Sequence, residues 1–315
     1  AARRAEDAGR HVIHMEVGQP GTGAPEAARA VLAAQLDDPL GYTVGLGLPA
    51  LRARIAQHYM DVYGVALGAE RVVITASASG AFLLAFSALF DNDSRVGLGL
   101  LCHPSYRQIL KAVGLKAVEM STTPAGRYQP QPTDVADHAL DGLIVASPAN
   151  PTGTMLDRVE LQALADACAA RNTAFISDEI YHGISYDKDA VTALQVTDDV
   201  YVINSFSKFF SMTGWRVGWM IVPVEHVRRV ERLAQNMFIC PSQASQVLAL
   251  AAFDCTDELN SHLDVYAANR DLLMVGLVAA GLSKYAPPDG AFYVYVDVSD
   301  YTDDARAFAV QILDQ

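Results

Sequence analysis

Lys208 is the residue of this sequence with the clearest chemical potential, and it lies in the run SFSKFFSMTGWRVG, residues 205–218. An apolar run typical of a strand precedes it, and serines stand close on both sides. A buried amine loses its proton more readily, because burial disfavours the ammonium form. Such a lysine can form a Schiff base, and the nearby hydroxyl groups and Arg216 would suit a phosphate group. A Schiff-base lysine beside a phosphate site indicates pyridoxal phosphate.

A phosphate dianion also favours a helix N-terminus, whose dipole contributes about 0.3 to 1 kcal/mol, or up to about 2 kcal/mol when partly buried. The run from Ser77 to Gly80 joins a predicted strand to a predicted helix and supplies free backbone N–H groups. We expect Ala78 and Ser79 to contribute there, with Ser205 and Arg216 completing the site. An ordinary strand-to-helix turn would read the same way.

The pyridine nitrogen of such a cofactor stays protonated when a carboxylate lies against it. Asp178 ends a run that predicts a buried strand. One charge-assisted hydrogen bond there would contribute about 1.5 to 3 kcal/mol. The alternative role for Asp178 is that of a helix N-cap.

Donors for the phenolate oxygen and an aromatic face for the ring are also present. Asn150 begins the run Asn-Pro-Thr-Gly, and Tyr181 follows Asp178 by three residues. Tyr106 is the candidate for stacking on the ring. Taken alone, Asn-Pro-Thr-Gly is a common turn, and a lone tyrosine usually serves packing.

Alternating β-rich and helical patterns occupy residues 71–222 and predict seven strands. Helical crossovers between them imply an α/β fold with a mostly parallel sheet that is flanked by helices. Ligands of such sheets bind outside the carboxyl ends of the strands. The candidate residues Ser77, Asn150, Asp178 and Ser205 all follow or end strands, which places them at this edge.

Composition excludes several classes of function. The 315 residues carry a net charge of −13, and 51% are hydrophobic. Without a basic stripe, nucleic acid and anionic membranes are poor partners, and no apolar run approaches the roughly 20 residues that span a bilayer. The four cysteines show no CxxC spacing. They predict reduced thiols in a cytoplasmic protein with no metal site.

Together, these motifs resemble the class I/II aminotransferases, pyridoxal phosphate enzymes of fold type I that include aspartate aminotransferase. The Lys208 run, Asn150-Pro-Thr-Gly153 and Asp178-x-x-Tyr181 occur in the family's order and at similar spacing. The resemblance extends from about Glu16 to Val296. It implies that Lys208 binds the cofactor and moves the substrate proton, with Asp178 and Tyr181 as further catalytic residues.

The resemblance also implies a role for each remaining candidate. Asn150 and Tyr181 would hold the phenolate oxygen, and Tyr106 would stack on the ring. Gly18 and Asn150 would face the substrate. Tyr42 resembles the tyrosine that reaches the phosphate of the neighbouring subunit, which implies a homodimer. The residues expected at the phosphate are Ala78, Ser79, Ser205 and Arg216.

Three departures from the family pattern stand out. Ser77 occupies a position where the family usually has glycine, and Cys102-His103 replaces a more usual glycine–aromatic pair. We expect His103 to be structural. The family arginine that clamps the substrate carboxylate lies beyond the matched segment, and Arg306 does not replace it.

Two domains are expected. A large cofactor domain would cover residues 27–264, and a small domain would combine 1–26 with 265–315. Both ends read as interrupted helices, so the small domain looks incomplete at its C-terminus. Residues 265–296 predict a long helix and then a hairpin.

We therefore predict a ping-pong aminotransferase that moves an amino group from an L-amino acid to a 2-oxo acid. A β-lyase or a decarboxylase on the same site is the alternative within this chemistry. A non-catalytic sensor that uses a domain of this fold is the alternative from another class.

Overall fold

The computed structural model describes residues 2–15 and 17–314. Ala1, Glu16 and Gln315 lie outside the described residues, so the ends of the predicted small domain and the start of the family resemblance fall there. The strands are β1 (Val72–Thr75), β2 (Arg95–Gly99), β3 (Lys116–Met120), β4 (Gly142–Ala146), β5 (Ala174–Asp178), β6 (Tyr201–Ser205) and β7 (Gly218–Ile221). The α-helices are α1 (Ala2–Asp7), α2 (Glu26–Ala33), α3 (Pro49–Tyr63), α4 (Ser77–Leu89), α5 (Ser105–Ala112), α6 (Pro132–Asp137), α7 (Arg158–Arg171), α8 (Val227–Met237), α9 (Gln243–Ala252), α10 (Thr256–Ala279) and α11 (Ala305–Asp314).

The seven strands form one sheet in the order β1-β7-β6-β5-β4-β2-β3. All neighbours from β6 to β3 are parallel, whereas β7 runs antiparallel to both β6 and β1. This confirms the predicted seven-stranded, mostly parallel sheet. Because β7 is reversed, it begins at the edge where its neighbours end. Arg216, just before β7, therefore lies at the carboxyl edge together with the ends of β5 and β6.

Alternating side chains of β1, β4, β5, β6 and β7 enter two separate cores. In β5, Phe175 packs into the core that contains α3, α7 and α9 residues, while Ile176 packs into the core that contains α4, α5 and α8 residues. This period of two follows from strand geometry, and a central strand with both faces covered is apolar throughout. The same alternation decides which polar residue at a strand end faces the candidate site.

The start of α7 forms as the sequence predicts. The Asp157 side chain accepts a hydrogen bond from the Glu160 backbone N–H, and the Glu160 side chain accepts one from the Asp157 N–H, each at 2.8 Å. Such a capping box satisfies two N–H groups that the helix itself leaves free, and an N-cap contributes about 1 kcal/mol.

The C-terminal part differs from the prediction in two respects. Helix α10 begins at Thr256 rather than near Asp264. The predicted hairpin is reduced to a single antiparallel bridge between Tyr285 and Val296. The reason is that the residues between them bond elsewhere. The Gly290 N–H donates to the Gly153 carbonyl and the Ala291 N–H to the Ile184 carbonyl, so this segment lies on the loops that follow β4 and β5.

Candidate active site

A cavity of about 570 Å³ opens at the carboxyl edge of the sheet. Most of the predicted site residues line it, although they come from positions 18 to 216 of the chain. They are Gly18, Ala78, Ser79, Tyr106, Asn150, Asp178, Tyr181, Lys208 and Arg216. Two predicted residues, Ser205 and Tyr42, lie elsewhere and are described below.

Lys208 follows β6 and extends into the cavity. Its amino group donates a hydrogen bond to the Gly18 carbonyl and lies 5.5 Å from the centre of the Tyr181 ring. Burial and, to a smaller extent, the Arg216 charge lower the pKa of this amine to about 8, while Asp178 opposes the shift. About a tenth of the amine is therefore neutral at pH 7, far more than for an unperturbed lysine, and a nucleophilic lysine requires this neutral form.

Asp178, the last residue of β5, is 3% exposed. The Ile180 N–H donates to one of its carboxylate oxygens at 3.1 Å, and the Tyr106 hydroxyl donates to the other. Burial raises the pKa of Asp178 to about 6, although both hydrogen bonds and the Lys208 charge oppose the shift. The carboxylate is thus held in a fixed position, and a cation bound in the cavity would stabilise its negative charge.

Tyr106, predicted only to stack on a cofactor ring, also contacts other residues of the protein. Its ring lies 4.9 Å from that of Phe82, and its hydroxyl donates to Asp178. The ring also lines the cavity. Stacking on a bound cofactor stays a prediction, and the bond to Asp178 is an additional role.

Glu179, the next residue, faces the opposite side of the sheet. It is fully buried, and one of its carboxylate oxygens accepts from Ser177, Thr192 and the Ala193 N–H. The other oxygen lies 3.5 Å from the imidazole of His182. Burial raises the pKa of Glu179 to about 7 and lowers that of His182 to about 3, which favours the neutral forms. His182 also contacts the Ser147 carbonyl at 3.0 Å, which links the loops after β4 and β5.

Asn150 and Tyr181 meet at the cavity, as predicted for two residues that hold one oxygen. The Asn150 amide nitrogen lies 3.5 Å from the Tyr181 hydroxyl. A third residue, Tyr293, joins them: its hydroxyl is 2.6 Å from that of Tyr181 and 3.3 Å from the Asn150 nitrogen. Sequence reasoning missed Tyr293, because its position in the predicted hairpin gave no sign of a contact with residues more than 100 positions earlier.

The N-terminus of α4 points at the same cavity. The N-cap position is occupied by Ala76, whose side chain cannot accept a hydrogen bond, so the first backbone N–H groups remain available to an anion. Gly218 makes this arrangement possible. A Cβ there would lie 2.7 Å from the Asn204 carbonyl oxygen and 3.0 Å from the Ser77 carbonyl carbon.

Ser77 shows why the resembling family prefers glycine at its position. Its φ is +66°, in the left-handed region that L-residues with a side chain adopt at a cost of about 1 to 2 kcal/mol. We expect Ser77→Gly to raise the free energy of unfolding by about 0.5 to 1 kcal/mol, because relief of strain exceeds the added chain entropy of glycine. Urea denaturation measures this difference. Ser77→Ala, which keeps the strain, is the control, and equal stability of the two variants would contradict a strained backbone.

Ser205 and Tyr42 differ in placement from the other candidates. Ser205 is 1% exposed, and its hydroxyl lies 2.9 Å from that of Ser207 and 3.1 Å from the Val217 carbonyl oxygen. Ser207 lines the cavity instead. Tyr42 is 83% exposed on the outer surface. Phosphate binding by either residue stays a prediction.

His103 also lines the cavity, beside Tyr106. Its Nδ1 atom is buried without a hydrogen-bond partner among residues 2–15 and 17–314. Burial and the Lys208 charge lower the pKa of this imidazole, so it is neutral near pH 7. The expectation of a structural role stays a prediction.

The chain that carries this site is similar in sequence and fold to known proteins. The model of the family "Aminotransferase class I and II" matches residues 10–315. The chain belongs to the class I and II aminotransferases. Members of this family depend on pyridoxal phosphate and have fold type I.

Individual relatives agree with this assignment. The valine–pyruvate aminotransferase of Mycobacterium tuberculosis is 46% identical over 309 residues, 96% of this chain and 80% of that protein. A solved structure from Silicibacter pomeroyi is 62% identical with a TM-score of 0.95, covering 99% of this chain and 82% of that one. The aspartate aminotransferase of Thermus thermophilus, solved with maleate, is 27% identical with a TM-score of 0.93, covering 99% and 84%.

This class I and II aminotransferase therefore transfers amino groups between amino acids and 2-oxo acids. In the described part of the chain, no cluster of three or more His, Cys, Asp or Glu residues could hold a metal ion. The described helices also include none with the length and apolar character needed to cross a membrane.

Proposed function

We propose that this aminotransferase uses pyridoxal phosphate to move the amino group of a neutral aliphatic L-amino acid to pyruvate by a ping-pong mechanism. The observation that carries the proposal is the pair formed by Lys208, with its lowered pKa, and the buried Asp178 on one cavity. Together they supply a nucleophilic amine and a fixed negative charge.

The residues fit the cofactor at both ends. Asp178 would hold the pyridinium nitrogen, since its burial makes a neighbouring cation favourable. At the phosphate end, the free N–H groups of Ala78 and Ser79, the Ser207 hydroxyl and Arg216 would provide donors. Ser205 would support this end through its contact with Ser207. Asn150 and Tyr181 would hold the phenolate oxygen, and Tyr106 would contact the ring.

Pyridoxal phosphate, when bound, supplies the electron-withdrawing ring that weakens the α-C–H bond of an attached amino acid. The Lys208 amine would take up that proton. In the second half of the ping-pong cycle, it would return a proton to the α-carbon of the product amino acid. A proton-transfer group works best with a pKa near the working pH, and that of Lys208 is lowered to about 8. Gly18 and Asn150 would face the substrate.

The lining of the cavity favours a neutral substrate side chain. Apolar residues such as Phe82, Ile109 and Ile180 form part of it. The lysine and arginine among the described lining residues, Lys208 and Arg216, both serve the cofactor in this proposal. The M. tuberculosis relative is a valine–pyruvate aminotransferase, which supports valine as donor and pyruvate as acceptor.

A panel of donors and acceptors tests this function. We expect valine and pyruvate to give alanine and the 2-oxo acid of valine, with parallel lines in double-reciprocal plots. Aspartate should be at least about tenfold poorer in kcat/KM, since its second carboxylate would lie in an apolar environment. A preference for aspartate would overturn the substrate class. Release of ammonia or carbon dioxide without a second oxo acid would overturn transamination.

We also propose a homodimer in which Tyr42 reaches the phosphate site of the partner subunit. Its side chain is 83% exposed, and other exposed apolar side chains occur nearby in the chain, namely Leu36, Leu40 and Val44. We further propose that each subunit has two domains, a large cofactor domain of residues 27–264 and a small domain that combines residues 1–26 with 265–315. A cytoplasmic location is supported by the four free cysteines.

A further inference from the structure

Tyr293 lines the candidate site, and neither the motifs nor the proposed function assigns it a role. Its hydroxyl lies 2.6 Å from the Tyr181 hydroxyl and 3.3 Å from the Asn150 amide nitrogen. These are the two residues proposed to hold the phenolate oxygen of the cofactor. Tyr293 therefore contacts the cofactor's proposed ligands from a segment far away in sequence.

The position of Tyr293 is fixed from two sides. Its segment lies on the loops after β4 and β5, through bonds from Gly290 to the Gly153 carbonyl and from Ala291 to the Ile184 carbonyl. A Cβ at Gly153 would lie 2.9 Å from the Tyr293 carbonyl oxygen, so the glycine of the Asn150–Gly153 run permits this approach.

On the other side, the N-terminal segment packs against the ring. A Cβ at Gly18 would lie 1.7 Å from the Tyr293 hydroxyl oxygen. The hydroxyl is thus enclosed by Gly18, Asn150 and Tyr181, and it contacts each of them directly.

The hydrogen atoms at this cluster can be counted. Burial raises the pKa of both phenols, so both keep their protons near neutral pH. The Asn150 amide nitrogen can only donate. One of its two hydrogens would go to the phenolate oxygen of the cofactor, so the other goes to the nearer phenol, that of Tyr293 at 3.3 Å. One phenol then donates to the other, and the proton of the second is left to point into the cavity.

We propose that Tyr293 is a positioning residue. Its hydroxyl donates a hydrogen bond to the Tyr181 oxygen and so directs the Tyr181 hydroxyl toward the phenolate oxygen of the bound cofactor. This inference rests on the proposed use of pyridoxal phosphate. The Asn150 nitrogen lies nearer to the Tyr293 hydroxyl, at 3.3 Å, than to the Tyr181 hydroxyl, at 3.5 Å, which gives the order Asn150, Tyr293, Tyr181, cavity and makes Tyr181 the terminal donor. A hydroxyl that accepts a hydrogen bond becomes a stronger donor, by about 10 to 30% for each bond.

The consequence is visible in the absorption spectrum of the holoenzyme. A weaker donor leaves more negative charge on the phenolate oxygen, and the proton shared with the Lys208 nitrogen is then held more tightly. The apparent pKa of the absorption change of the bound cofactor therefore rises. We expect a rise of about one to two units for Tyr181→Phe and about a third of that for Tyr293→Phe.

A double-mutant cycle on the holoenzyme, read by pH titration of the spectrum, tests the proposal. Because Tyr293 acts through Tyr181, Tyr293→Phe should add no shift in the Tyr181→Phe background. Tyr295→Phe is the matched control: it deletes the same group from the same segment, outside the cavity lining, where Tyr295 packs against Tyr128. It should leave the spectrum unchanged.

The outcomes are distinguishable. No shift for Tyr293→Phe, or an equal shift in both backgrounds, overturns the positioning role and leaves the proposed function intact. A wild-type protein that shows no cofactor absorption with pyridoxal phosphate overturns the proposed function and this inference with it.

Discussion

Lys208→Ala is expected to lower the rate of amino transfer by about four orders of magnitude. The variant loses the amine that would bond to the cofactor and the group that moves the substrate proton, and positioned proton transfer alone contributes about 10² to 10⁴. Arg216 and Asp178 remain, so cofactor binding should weaken far less than turnover. Single-turnover rates with valine, followed by absorption, measure the loss.

Two further variants make the result specific to Lys208. Lys208→Arg keeps the positive charge, but its guanidinium stays protonated and cannot act as a nucleophile, so it should be equally inactive. Lys111→Ala removes an exposed lysine from α5 and should behave as wild type. Borohydride reduction of the holoenzyme followed by mass spectrometry should place the cofactor on Lys208. An adduct of equal yield in Lys208→Ala would contradict the assignment.

Asp178→Asn should lower kcat/KM about tenfold to a hundredfold while it stabilises the cofactor-free protein. The loss of activity follows from one charge-assisted hydrogen bond of about 1.5 to 3 kcal/mol to the pyridinium nitrogen. Asparagine keeps the shape of the side chain: its oxygen can accept from the Ile180 N–H, and its amide nitrogen can donate to the Tyr106 hydroxyl oxygen.

The stability effect depends on pH in a direction that follows from the raised pKa of Asp178, about 6 against 3.8 for an unperturbed carboxyl. The folded protein holds this proton more tightly than the unfolded chain, so its stability is lost as pH rises from about 4 to 6 and stays lost above. Without cofactor, Asp178→Asn should therefore be more stable than wild type at pH 7, by up to about 3 kcal/mol, and similar near pH 4.

Urea denaturation of both proteins at the two pH values, with and without pyridoxal phosphate, measures this effect. The cofactor should reverse the order at pH 7, because its pyridinium nitrogen pairs with the carboxylate only in wild type. A cofactor-free variant that is less stable than wild type at pH 7 would contradict a destabilising buried charge. Such a trade of stability for function is common at active sites.

The sequence alone determined the sheet and the main chemistry. Short β-rich runs at regular intervals predicted all seven strands, because the residue pattern of a strand and of its turns can be recognised within a short stretch of sequence. Lys208, Asp178, Asn150 and Arg216 could be chosen because each stands in a motif of fixed spacing. The strand ends then predicted that they would meet at one edge.

The tertiary structure decided what depends on orientation and on distant packing. Asp178 lines the cavity, whereas Glu179 bonds to Ala193 of the opposite core, because neighbouring residues at a strand end point to opposite faces. The reversed β7 brings Arg216 to the carboxyl edge. Tyr293 reaches Tyr181 only because Gly153 and Gly18 allow two remote segments to approach it. Local periodicity carries no information on such approaches, because they are set by backbone contacts between segments that the fold alone brings together.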